Sequence, residues 1–193
     1  NYKDKYYEVK VYSPKKQYYI TVFRDISNEK ELVNASYQFI KDIDRGIDFK
    51  HITDQIRKVS GAEYIALNIF DPVDGHLHTQ ALSGAEKDIH KLKSLLSFDP
   101  IGKNWNISSD DDEQIIKIYN DFAEVVEEFI TPKVTRKIRN ECNIGRVGIA
   151  KLLFDDEILG NFTIFMAQGK RLKNIELIKN FALHTGLYLG KNK

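Results

Sequence analysis

The stretch from 145 to 169, GRVGIAKLLFDDEILGNFTIFMAQG, restricts the fold more than any other. Two apolar runs flank the acidic triplet Asp155-Asp156-Glu157. Both are of strand length and rich in Ile, Leu, Val, Phe and Thr, residues that suit a pleated, half-buried surface. In the first run Val147, Ile149, Lys151 and Leu153 alternate with Gly148, Ala150, Leu152 and Phe154. In the second, Ile158, Gly160, Phe162, Ile164 and Met166 alternate with Leu159, Asn161, Thr163 and Phe165. Both alternate sets are largely apolar, which predicts a hairpin covered on both faces inside a central sheet.

Two further strands are predicted at 6–11 (YYEVKV) and 18–23 (YYITVF), with Ser13-Pro14-Lys15-Lys16 as the turn between them. At Arg24-Asp25-Ile26-Ser27 the pattern changes to helix, with Asp25 or Ser27 as cap. Residues 30–45 carry Leu32, Phe39 and Ile43 as a stripe, suited either to a short parallel coiled coil with a second copy or to packing on a neighbouring helix of its own domain. Gly46 breaks that helix, and Asp48 caps another whose apolar face is Phe49, Ile52, Ile56 and Val59. Strands at 62–71 and 76–83 flank Pro72-Val73-Asp74-Gly75, where Asp-Gly is a hairpin signal. A helix follows at 86–96, then a loop at 98–109 holding Trp105 in a short strand at 105–107. The acidic run 110–113 reads as a solvated helix start, 115–130 as a helix, and 133–142 as another with Val134, Ile138 and Cys142 four apart. The last helix covers 174–190.

The chain has 193 residues and a net charge of +1, so no single-signed field draws it to nucleic acid. No apolar run approaches the roughly 20 residues of a membrane span, and no membrane contact is expected. The single cysteine, Cys142, rules out an internal disulfide framework and fits a cytoplasmic setting. The opening Asn1-Tyr2-Lys3-Asp4-Lys5 lacks Met and the layout of a signal peptide, and the sequence reads as a piece of a longer chain.

Residues 23–31, FRDISNEKE, resemble the end of a PAS domain, where two long strands pass through an Asp-Ile-Thr-like turn into a helix; Ser27 stands for the Thr. The element order after Gly46 resembles a GAF domain over 47–191. The resemblance is carried by the strand at 62–70 with its Asp-Gly hairpin, the late hairpin at 147–166 with Leu159-Gly160 after its polar turn, and the closing helix. It implies an α+β fold: a GAF-like central antiparallel sheet with helices on both faces, preceded by a PAS-type hairpin and a connecting helix. The implied division is 1–29 for the PAS-like strands, 30–46 for the connecting signalling helix and 47–193 for the sensory domain. The implied role is the sensory part of a larger signalling protein, a histidine kinase, with no reaction catalysed in this part. A small-molecule ligand and a homodimer through Leu32, Phe39, Ile43 and the last helix belong to that reading.

Asn68 and Phe70 are candidate pocket residues, because a polar group on a covered strand suggests an oriented contact. Trp105 is placed to close the pocket, and Leu152, Phe162 and Ile164 to line it. Cys142 carries an alternative, since some GAF relatives hold haem or another tetrapyrrole or sense redox state; against it stands packing as a small apolar residue. Asn143, where bilin-binding relatives have His, and the lone thiol both weigh against such chemistry. His76 and His78 lie two apart on one strand with no third metal ligand evident; His184 in the last helix could be an axial haem ligand, but that helix is expected on the side of the sheet away from the pocket; His51 and His90 show no partner. A ligand-free dimerisation module is the third reading.

Overall fold

The computed structural model describes residues 5–44, 46, 48–105 and 114–192. It divides into two compact units, Asn1–Gln38 and Phe39–Lys193.

In the first unit, β1 (Tyr7–Lys15) and β2 (Tyr18–Asp25) form an antiparallel ribbon. The turn is Lys16-Gln17, not the expected 13–16. Pro14 stays within β1 because the register shifts between Tyr12 and Lys15, where no ladder N–H is needed. The Ser13 hydroxyl donates to the Tyr18 carbonyl at 3.1 Å, and Gln17 takes the left-handed conformation at φ 72°. The helix α1 (Ser27–Asp44) then starts on a knot of local bonds. Asp25 Oδ1 accepts the Ser27 N–H at 3.0 Å, Ser27 Oγ accepts the Tyr6 N–H at 2.9 Å, and Arg24 meets Glu29 at 2.6 Å.

The second unit is built on a six-stranded antiparallel sheet. Its strands are β3 (Tyr64–Asp71), β4 (His76–Ser83), β5 (Asn104–Trp105), β6 (Ile116–Tyr119), β7 (Ile144–Phe154) and β8 (Glu157–Ala167). They lie in the order β5-β4-β3-β8-β7-β6, so the expected late hairpin sits inside the sheet, with β8 pairing the first hairpin through β3. Asp155 and Asp156 both have positive φ and Phe154 pairs with Glu157, a two-residue turn that matches the strand twist; Glu157 is already strand.

Helices cover both faces, as expected of the α+β fold. On one face lie α2 (Phe49–Ser60) and α6 (Ile175–Lys191). Asp48 caps α2 by accepting from the Lys50 and His51 N–H groups, and Gly61 closes it at φ 69°. Backbone meets backbone where Gly186 of α6 rests on Leu153 of β7. Phe39, in the part of α1 that belongs to this unit, stacks on Phe181 of α6 with ring centroids 3.9 Å apart. Phe39 and Ile43 are thus buried in the chain's own core. On the other face, α3 (Glu86–Leu96), α4 (Ala123–Val126) and α5 (Pro132–Glu141) enclose a cluster with Tyr64, Ala66, Leu82, Ile144 and Val147 of the sheet.

The helix expected over 115–130 is instead β6, a bend and the short α4. Ile116 and Ile118 are β-branched and two apart, and β6 finds a ladder on β7, with Ile116 opposite Ala150 and Tyr119 opposite Val147. Asp121 then ends the extended run. Its carboxylate accepts the Ala123 N–H at 3.0 Å while its own N–H donates to Glu124 at 2.8 Å, a reciprocal cap. The expected strand 105–107 is present as Asn104–Trp105; its last two positions, and the acidic run 110–113, lie outside the described residues.

Candidate functional site

Between the sheet and α3–α5 lies a cavity of about 250 Å³. Its floor is a polar row that crosses four strands. Thr79 on β4 pairs with Asn68 on β3, Asn68 with Asn161 on β8, and Asn161 with Lys151 on β7; all four line the cavity. Two bulges frame the row. Gln80 is the extra residue of β4 between the Leu67–Ala81 and Asn68–Thr79 pairs, which turns Thr79 to the side of Asn68. Leu159 is the extra residue of β8, next to Gly160, whose close approach to the Asn68 carbonyl leaves no room for a Cβ.

The row is knitted by hydrogen bonds that all run one way. Trp105 Nε1 donates to Thr79 Oγ1 at 2.8 Å, and that hydroxyl donates to Asn68 Oδ1 at 2.7 Å. Asn68 Nδ2 donates to Asn161 Oδ1 at 2.9 Å and to Thr163 Oγ1 at 3.1 Å, and Thr163 donates to Asn161 Oδ1 at 3.0 Å. The amide orientations follow from this order, since only one assignment gives every hydroxyl an acceptor. Asn68, Thr79, Thr163 and Lys151 are all buried. In a low-dielectric setting such a satisfied network holds one geometry, because any break strands a buried polar atom.

The roof is apolar: Leu92 and Leu96 of α3, Phe122 before α4, Val126 of α4, Ile130 after it, and Ile138 of α5. At the side, Trp105 meets Phe129 edge-on with centroids 5.4 Å apart and Phe98 at 6.3 Å. Glu124, Glu127 and Glu128 are exposed at the rim. The cavity is therefore two-sided, with polar groups on the sheet and hydrocarbon on the helices.

Of the sequence-derived candidates, Asn68 and Trp105 are brought together at this cavity, joined through Thr79. Phe70 lies beyond it toward the strand end and is not among its walls. Leu152, Phe162 and Ile164 are fully buried, but alternation from Lys151, Asn161 and Thr163 turns them to the opposite face, under α2 and α6. Thr79, Asn161, Thr163 and Lys151 were not singled out from the sequence. For Lys151, Asn161 and Thr163 the available signal is a polar side chain inside an otherwise apolar strand; for Thr79, on the more polar β4, there is none.

Cys142 ends α5 and packs with Tyr64, Ile138 and Ile144, outside the cavity wall. Burial pushes its thiol above the ordinary value, and burial followed by the neighbouring Cys142 pushes the Tyr64 phenol up as well. A protonated, buried thiol is a poor nucleophile and a poor ligand. None of the five histidines lines the cavity. His78 Nε2 bonds Asp74 Oδ2 at 2.7 Å, and Asp71 completes a group of three at the exposed β3–β4 turn. Those carboxylates also accept the turn's own N–H groups, from Val73 to Asp71 and from His76 to Asp74. His51 bonds Asp42 at 3.0 Å.

The sequence matches no protein-family model and no curated protein. Solved structures do match. The GAF domain of a phosphoenolpyruvate-protein phosphotransferase from Coxiella burnetii superposes with a TM-score of 0.59 at 13% identity, over 85% of this chain and 95% of that one. The GAF domain of the Acinetobacter phosphoenolpyruvate-protein phosphotransferase gives 0.57 at 8% identity, over 84% and 95%. The chromophore-binding domain of an unusual bacteriophytochrome from R. palustris gives 0.56 at 10% identity, over 96% and 69%. At these identities the likeness is one of fold, and the fold is GAF-like.

Proposed function

We propose that this chain is a sensory module of a larger signalling protein of the histidine-kinase kind, in which the GAF-like unit binds a small molecule and performs no reaction. The observation that carries the reading is the cavity itself: open at a rim of exposed glutamates, apolar above, with a hydrogen-bonded polar row below. That combination suits a ligand whose orientation matters. The GAF neighbours named above support a regulatory rather than catalytic use of the fold.

The relay follows from the layers. A ligand that binds one arrangement of the floor strands better than another shifts the population toward it. The same strands carry Phe162, Ile164 and Leu152 on their other side, against α2 and α6. A change in β7 or β8 therefore acts on α6 through Gly186, and on the end of α1 through the Phe39–Phe181 stack. The ribbon β1–β2, read as PAS-type strands, and the connecting helix complete the module. A homodimer belongs to the proposal; with Phe39 and Ile43 buried in their own chain, the exposed Val33 and Tyr37 of α1 are the residues that would meet a second copy. A cytoplasmic location is part of the same reading, and among the described residues no helix is long and apolar enough to cross a membrane.

The haem or tetrapyrrole alternative does not fit the residues present. The cavity wall offers neither histidine nor Cys142, and about 250 Å³ falls below the roughly 300–1,000 Å³ usual for drug-sized ligands. A redox role for Cys142 meets the same burial. The test is a thermal-shift and native mass-spectrometry screen of a chemically diverse small-molecule panel, read alongside Trp105 emission. A saturable shift with a matching mass increment supports sensing. A panel that leaves melting temperature, mass and emission unchanged favours the ligand-free dimerisation module.

A further inference from the structure

We propose that the cavity takes a small organic cation, an amine with an apolar body. Its ammonium sits at the mouth beside Glu127, Glu128 and the Trp105–Phe129 corner, and its body lies under Leu92, Phe122 and Ile138. This rests on the reading that the cavity is a ligand site.

Charge and aromatic rings meet at one turn of the chain. Glu127 and Glu128 follow α4, Phe129 comes next, and all three line the cavity. The turn is pinned by the Val126 carbonyl, which accepts the Phe129 and Ile130 N–H groups at 2.9 Å each. Trp105 packs on this turn, its ring plane at 89° to that of Phe129 and the centroids 5.4 Å apart. The indole is held in turn by its Nε1–H, given to Thr79 Oγ1 at 2.8 Å. Two rings fixed at a right angle make a corner, and the face of either attracts a cation within about 6 Å of its centroid. The two carboxylates put the opposite charge on the same turn.

Those carboxylates are uncommitted. Glu124, the third in the wall, accepts the Asp121 N–H at 2.8 Å. Among the described residues the Glu127 and Glu128 carboxylates have no hydrogen bond and no ion pair. The cations on nearby segments are used elsewhere: Arg139 pairs with Asp121 and Lys93 with Asp99, both at 2.6 Å, while Lys103 stands over the Phe98 ring. Lys151, the ammonium in the described wall, has an interaction of its own. The floor from Trp105 through Thr79 and Asn68 to Thr163 is likewise satisfied within itself. The charge still unmatched is negative and lies at the mouth.

Other ligand classes match less well. A carboxylate would enter past three of its own kind. A sugar would press its hydroxyls against the Leu92, Phe122 and Ile138 roof, where they find no partners. A nucleotide brings the wrong sign and exceeds the space. About 250 Å³ corresponds to roughly eight water volumes, so the ligand has on the order of ten non-hydrogen atoms. Arylalkyl and branched alkyl amines have that size and that division into one charged head and one apolar body.

The experiment uses the whole 193-residue chain and five probes: 2-phenylethylamine and 4-methylpentylamine, their uncharged counterparts 2-phenylethanol and 4-methylpentanol, and phenylacetate as the opposite charge. Affinities come from calorimetry near neutral pH, and the emission of Trp105, the single tryptophan, reports occupancy. The amines are expected to bind about tenfold more tightly than the alcohols, the combined scale of a ring contact and a surface ion pair, with phenylacetate weakest. Added salt should weaken the amines and leave the alcohols unchanged. Glu127→Gln with Glu128→Gln, at exposed positions, and separately Phe129→Leu are each expected to cut the preference about threefold or more, with folding checked by near-ultraviolet circular dichroism. Alcohols or phenylacetate that bind as well as the amines overturn the cation assignment and leave the cavity standing as a ligand site. A preference that survives undiminished in both variants places the ammonium elsewhere and overturns it too. If none of the five binds at millimolar concentration the assignment falls as well, and the broader panel decides separately whether the cavity binds anything. The comparison of amines with alcohols needs no variant, so a misfolded variant does not shield the proposal.

Discussion

Replacing Asn68 by Ala tests whether the floor row acts as one unit. The substitution removes three hydrogen bonds, at 2.7, 2.9 and 3.1 Å. It also leaves the Thr79 hydroxyl, in a residue 2% exposed, without its acceptor. Intramolecular hydrogen bonds contribute about 0.5–1.5 kcal/mol each, and a stranded buried group costs about 1–3 kcal/mol. Water entering from the adjoining cavity offsets part of this, so the expected loss is about 3 kcal/mol. For a chain of this size that lowers the melting temperature by about 6–12 °C. The assay is urea and thermal unfolding followed by circular dichroism and by Trp105 emission, which reports the second unit. The sharper measurement is the cycle with Thr79→Val. Once the Thr79 hydroxyl is gone, Asn68→Ala no longer strands it, so the double variant should be less destabilised than the sum by about 1 kcal/mol or more. A cost below about 1 kcal/mol for Asn68→Ala, or additivity of the two changes within about 0.5 kcal/mol, would refute the network argument.

Other consequences follow from the layers. In Gly186→Ala the new methyl meets the Leu153 backbone, with N at 2.7 Å and C at 2.9 Å, so α6 must lift from β7; the expected net loss is about 1–3 kcal/mol despite the better helix propensity of Ala, measured by urea unfolding. Phe39→Ala opens a hole beside Phe181 and should cost about 3–5 kcal/mol; a surface-like loss under 1 kcal/mol would show that the stack does not hold the end of α1 on this unit. The Cys142 thiol and Tyr64 phenol, ordinarily near 9.0 and 10.0, are both raised in the folded chain. The unfolded chain gives up these protons first, so stability holds below about pH 9 and falls as pH climbs through and beyond the unfolded values. Urea midpoints across that window should decline, less steeply in Tyr64→Phe, and iodoacetamide should label Cys142 only as fast as the chain opens.

Legibility from sequence tracks how local the deciding interaction is. The helix 86–96 and the strand 76–83 coincide with the structure, and Asp48 caps α2 as read, because caps, turns and periodicity act within a few residues. The β6 strand was hidden for the opposite reason: four residues at a sheet edge owe their state to β7, some thirty positions away. Likewise the stripe Phe39–Ile43 was visible on α1, but nothing near it in the chain reveals that its partner is Phe181 in the last helix.

The site shows the same boundary at finer grain. Alternation in the late hairpin correctly separated two faces, yet both were largely apolar, so composition did not say which one looked into a cavity. Leu152, Phe162 and Ile164 consequently fell on the helix-covered side. The minority residues carried the missing information. Lys151 on β7 and Asn161 and Thr163 on β8 share one face of two apolar strands, and burial of such groups is tolerable only where they find hydrogen-bond partners or a polar cavity. Asn68 drew notice on that ground alone; applied to every strand, the same rule would have collected the floor row except for Thr79. That residue reaches the cavity face beside Asn68 by a bulge at Gln80, and in β4, where His76, His78, Thr79 and Gln80 are all polar, neither the inserted residue nor Thr79 stands out from its neighbours.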